Sequence, residues 1–293
     1  MTGRTAPPSS LTQWRPTTPP AAVPAAGGVA SSPVATDGWG HRGRPMSTWR
    51  LEWLRLARSP RGIALGVVYV LLGMVGPALA RYLPELANGP SGSMKLVQPT
   101  PTARDGIVSF VNEASQNGIV VVVIVAASAL ALDHRRGIAT FFRTRAASMR
   151  SLVIPRFAVN VVAAVVAYAL GTIAAWYGTA QLIGPLPAGA VTAGMFCGAI
   201  YLAFAVAVVA AAASFVRSAV GTIVLSLGAL VLLPLLGSVH ALHPWLPSTL
   251  VGAPGDLLGA NRFFDFVPAL AVAAVATPAL LVLACRRLAG REV

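Results

Sequence analysis

Six apolar runs, each long enough to cross a lipid bilayer as a helix, occupy most of this 293-residue chain. They lie at 62–80, about 115–132, about 157–180, about 190–215, about 219–239 and about 267–284. A spanning helix needs about 20 predominantly apolar residues, and none of these runs carries Asp, Glu, Lys or Arg in its middle. Inside a bilayer every backbone N–H and C=O must find a partner within the protein, which a helix provides from its own backbone. The expected fold is therefore an all-α polytopic membrane protein with about six transmembrane helices. Composition agrees, because only 11% of residues are charged against about 25% in soluble domains. That is too little charge to cover a water-facing surface.

The segments between the runs read differently. Residues 1–46 are rich in Pro, Ala, Ser, Thr and Gly with no apolar period, a composition expected to stay disordered. This tail has no apolar h-region, so it is not read as a secretory signal. Residues 47–61 predict an interfacial helix: Thr48 can cap it, and Trp49, Trp53, Leu56 and Ala57 share a side at helical spacing. Trp and Arg together favour the headgroup layer. The remaining domain, 62–293, holds the six spans and a loop at 134–156 between the second and third.

The net charge of +13 raises nucleic acid binding, but the basic residues sit between apolar runs and are not gathered on a soluble face with aromatics. No nucleic acid partner is expected. Membrane orientation explains the charge better. With the N-terminus placed in the cytoplasm, 18 basic residues fall inside, and only Arg81, Lys95, Arg104 and Arg262 fall outside. Cation bias sets orientation, so both termini are expected in the cytoplasm of a multi-pass inner-membrane protein. Every basic residue but Lys95 is Arg, which with abundant Ala, Gly and Pro suggests a high-GC bacterial genome.

The loop after the second run is the most informative stretch. Read as a helix over about 137–152, it puts Ile138, Phe142 and Met149 on one face and Arg136, Arg143 and Arg150 on another. No acidic residue occurs from His134 to Gly255. Such a helix can lie on anionic headgroups or dock into a partner protein, and the residues alone leave both open.

The order of these features over about 47–290 resembles the ABC-2 type permease family, the membrane subunits of ATP-binding-cassette exporters. The resemblance rests on the segment ending RLARSPR (55–61), six spans with both termini inside, the basic loop after span two, and the HPWLP stretch (243–247). It implies that the loop forms a coupling helix seated on a separate ATPase subunit, with Gly137, Ile138, Phe141, Phe142, Arg143 and Arg145 as contacts. It also implies a second permease copy or a related permease as partner. A P-loop requires G-x-x-x-x-G-K-[ST], yet Lys95, the only lysine, is followed by Leu96. The chain is therefore not expected to be an enzyme or to bind a cofactor, and ATP and Mg would belong to the partner.

Other candidates are sparser. Gln116, Asn117, Ser128, Asn160, Tyr168 and Thr172 put polar groups in or near spans two and three; most such groups satisfy one another between helices, and Gln116, Asn117 and Ser128 could line a substrate path. The absence of carboxylates in the middle of the spans argues against ion coupling and favours a hydrophobic or amphipathic substrate. His240 and His243, with Asp256 and Asp265, offer no complete metal-ligand set. Gly194 and Gly198 form a G-x-x-x-G spacing that permits close helix approach. Pro234 falls in the fifth run, as a hinge or as a tolerated proline. A membrane-embedded lipid-modifying enzyme, or a non-transporting membrane scaffold, remains the alternative reading.

Overall fold

The computed structural model describes residues 52–54, 59–87, 100–130, 150–239 and 241–290. Among them the chain is helical, and six helices are long and apolar enough to cross a membrane. The first, α1, is Pro60–Ala87. The second, α2, runs Ala103–Leu130 with one π-helical turn, Ala114–Gly118, inside it. Then follow α3 (Arg150–Leu182), α4 (Ala188–Phe215) and α5 (Ala219–Leu236). A short helix α6 (Thr249–Asp256) precedes α7 (Val267–Gly290). Residues 52–54 are also helical, but the rest of the expected interfacial helix over 47–61 lies largely outside the described residues.

α4 is the centre of the bundle. Its middle is built from Ala, Val and Gly, and Ala205, Val206, Ala207 and Val209 are fully enclosed. Small side chains let neighbouring helices come close where van der Waals packing, not the hydrophobic effect, drives association. The G-x-x-x-G pair belongs to this packing: a Cβ on Gly194 would run into the Pro254 backbone, and one on Gly198 into the Tyr168 hydroxyl. Gly194 thus seats α6 against α4.

α1, α2 and α3 form a tight trio whose register is fixed by three contacts. Gly76 lies against the Phe110 backbone, Gly73 against the Gly171 carbonyl, and Gly106 against Thr179. Between these helices Tyr69 and Tyr168 meet edge to face at 6.1 Å, and Phe110 stacks on Tyr168 at 6.0 Å.

The second span departs from the sequence reading. Its helix begins at Ala103, not near 115, and continues unbroken to Leu130. Residues 103–118 are amphipathic: Gly106, Ile107, Phe110, Val111, Ala114 and Gly118 are buried, while Asn112, Gln116 and Asn117 are exposed. An average over an apolar window discounts such a segment, although its buried face is as apolar as any other. Asp105 holds its start, accepting from the Thr102 N–H at 2.8 Å and the Thr102 hydroxyl at 2.7 Å. At the fifth span, α5 ends two residues beyond Pro234. The Gly237 N–H bonds the Pro234 carbonyl at 3.0 Å, so this proline sits in a closing turn and not in a mid-span kink.

Candidate functional site

Gln116, Asn117 and Ser128 are brought together on one outward stripe of α2, which also carries Asn112 and Ile124. The π-turn at 114–118 is where this stripe is most polar. A π-turn contains one residue more than an α-turn and recurs at functional positions; here the Ile119 N–H reaches back five residues to the Ala114 carbonyl. The Asn117 amide donates to Glu113 Oε2 at 2.7 Å. Ser115 donates to the Asn112 carbonyl at 2.9 Å and Ser128 to the Val125 carbonyl at 2.7 Å. The two serines are thus satisfied by their own helix, and the side chains open for outside contacts are Glu113, Gln116, Asn117 and Asn112.

Glu113 changes the expectation that the spans lack carboxylates. Phe110 is level with Gly76, so Glu113, one turn further along antiparallel α2, is level with about Gly73. At about 1.5 Å per residue, Gly73 is about 20 Å from Pro60 and about 15 Å from Leu83, the ends of the first span. A carboxyl group therefore sits near mid-depth of the bundle. The signal was present in the sequence: Asn112, Glu113, Gln116 and Asn117 recur at helical spacing around buried Val111, Ala114 and Gly118. Behind Ser115, on the inner side of the turn, Tyr69, Tyr168 and Tyr201 line a void of about 20 Å³.

Asn160 and Thr172 behave otherwise than expected. Both are buried, and each bonds a carbonyl four residues back in α3, Asn160 to Arg156 at 2.7 Å and Thr172 to Tyr168 at 2.9 Å. Local side-chain-to-backbone bonding replaces the interhelical partners the sequence suggested. Cys197 and Cys285 are both buried.

The coupling-helix candidates Gly137, Ile138, Phe141, Phe142, Arg143 and Arg145 lie outside the described residues. The two helices that bracket them do not: α2 ends at Leu130 and α3 starts at Arg150. At this end of the bundle Arg156 is buried and its Nε donates to Glu52 Oε1 at 2.9 Å.

At the opposite end, His243, Ser248, Asp256, Asn261 and Asp265 line a cavity of about 410 Å³. Arg104 reaches into this region, donating to the Gly255 carbonyl at 3.0 Å and lying 3.5 Å from Asp256. Among the described residues no group of three His, Cys, Asp or Glu could hold a metal; His240 lies outside them.

Six apolar helices with a polar seam on the second define the class: an all-α, multi-pass membrane protein. Half of the chain also has a recognisable relative. It is similar to an uncharacterized transmembrane protein, YxlG, of Bacillus subtilis (strain 168), at 22% identity over 136 residues. The match covers 45% of this chain and 52% of that protein, so it spans about half the length of the relative. No family model matches the chain, and no solved structure matches it.

Proposed function

We propose that this chain is the permease subunit of an ATP-driven exporter of the ABC-2 type, resident in a bacterial inner membrane with both termini cytoplasmic. A second copy or a related permease completes the passage, and a separate ATPase subunit supplies the energy. The observation that carries this reading is the layout of α2. Its outward stripe presents Gln116, Asn117 and Ser128 on a helix whose buried face is apolar, and its end leads into the basic, acid-free loop at 134–156. Polar side chains in a span favour a partner helix or a water-filled cavity over lipid, and a second permease copy supplies either. A coupling helix joined to the same span gives the ATPase a lever on that passage, with Gly137, Ile138, Phe141, Phe142, Arg143 and Arg145 in contact with it. ATP closure would then shift the population between inward- and outward-open arrangements.

The test is purification from native membranes in mild detergent, with the co-purifying proteins identified. A P-loop ATPase is expected in about equal amount and should be lost from the Phe142→Asp and Arg143→Glu variants. A chain that purifies without any ATPase, or keeps it through both substitutions, would contradict the proposal.

A further inference from the structure

A carboxyl group at mid-depth of a membrane bundle is expensive and persists where it faces a counter-charge or a watery cavity. Among the described residues Glu113 has neither. Among the described residues its hydrogen-bond partner is Asn117, and the ion pairs join Arg104 to Asp256 and Arg156 to Glu52. Its side chain sits on the outward half of α2 beside exposed Asn112, Gln116 and Asn117, not among the buried aromatics.

We infer that Glu113 is the counter-charge for the cationic group of the molecule this protein carries, so that the substrate is an amphipathic organic monocation, such as an alkylammonium compound. This rests on the exporter reading and narrows its hydrophobic or amphipathic substrate to a charged class. Three features select such a molecule. Asn117 occupies Oε2 at 2.7 Å, which orients the carboxyl and leaves Oε1 to accept from an ammonium N–H. One turn and more along the stripe come Val120, Val121 and Ile124, the last exposed, an apolar track for a hydrocarbon tail. An inorganic divalent ion is disfavoured, because the described residues hold no group of three His, Cys, Asp or Glu that could bind one and such ions take about six oxygen ligands.

The experiment is equilibrium binding to the purified full chain in lipid nanodiscs, so that it needs neither ATP nor the ATPase. Fluorescence anisotropy is recorded for dansylcadaverine, a primary ammonium on a five-carbon chain, and for its N-acetyl derivative, which lacks the charge. Binding to empty nanodiscs is subtracted. The native chain should prefer the ammonium form at least tenfold. Glu113→Gln, which keeps size and hydrogen bonding, should abolish that preference while binding of the acetylated probe stays unchanged; Glu113→Asp should keep part of it. Equal affinity for the two probes, no binding above empty nanodiscs, or a preference that survives Glu113→Gln would overturn the inference. A cation preference in a chain that brings down no ATPase would leave the site standing and remove the exporter reading. The opposite pair of results would do the reverse.

Discussion

Arg156 in α3 donates to Glu52 across 104 positions of sequence at 2.9 Å, joining the segment ahead of the first span to the start of the third. The Arg156 side chain is only 8% exposed, so this is a largely desolvated charge-assisted bond. Truncating one partner of such a pair leaves a charge short of a ligand. Glu52→Ala is expected to lower stability by about 2 kcal/mol, the usual size of a hydrogen bond to a charged group. The melting temperature in detergent checks this, and an unchanged value would mean the pair is dispensable.

The seat of α6 on α4 makes a sharper demand. A Cβ at Gly194 has no room beside the Pro254 backbone, whereas Gly189, five residues earlier, has nothing near it. Gly194→Ala should therefore destabilise by about 1–3 kcal/mol, the range for overpacking, while Gly189→Ala should be neutral. Thermal unfolding followed by size-exclusion chromatography distinguishes the two. Equal behaviour of both variants would place α6 elsewhere.

Orientation is directly accessible. With Cys197 and Cys285 buried, background thiol labelling should be low. Arg217 and Asn261 are exposed at opposite ends of the bundle. On intact cells, a membrane-impermeant maleimide should modify Asn261→Cys and leave Arg217→Cys untouched until the membrane is opened. The reverse pattern would invert the topology.

If a second copy covers the polar stripe, Ile124 lies close to that copy. Ile124→Cys in the native background should give a crosslinked dimer with a short bifunctional thiol reagent in membranes. Leu170→Cys, also exposed but on α3, provides the comparison. Crosslinking at both sites or at neither would argue against an interface centred on α2.

The six spans were legible because length and apolarity are read directly from composition, and five of the six runs fall where helices stand. The second was truncated because 103–114 is apolar on one face only. Asn112 and Glu113 lower its average while Ile107 and Phe110 are completely buried. Glu113 was left out along with that segment: its helical spacing with Asn112, Gln116 and Asn117 could be read, but its depth follows from Gly76 meeting Phe110, a pairing between helices that no single-helix pattern contains. The inward turn of Asn160 and Thr172 likewise depends on which way α3 faces. Gln116, Asn117 and Ser128 were picked for polarity, and their common stripe emerged only with the pitch of α2.

That pitch is interrupted once, at Ala114–Gly118. The surplus residue there shifts the angular phase of everything beyond it, by about 100° relative to a continuous α-helix. Deleting a single residue from the turn would restore regular winding and leave Asn112 facing the same way as Ile124 and Ser128, because the lost residue and the lost wide turn cancel; closing the turn with every residue kept would instead swing the two halves apart by that same angle. The seam is in this sense a matter of winding as much as of chemistry: α2 keeps its two halves facing the same way by taking up its surplus residue in one wider turn.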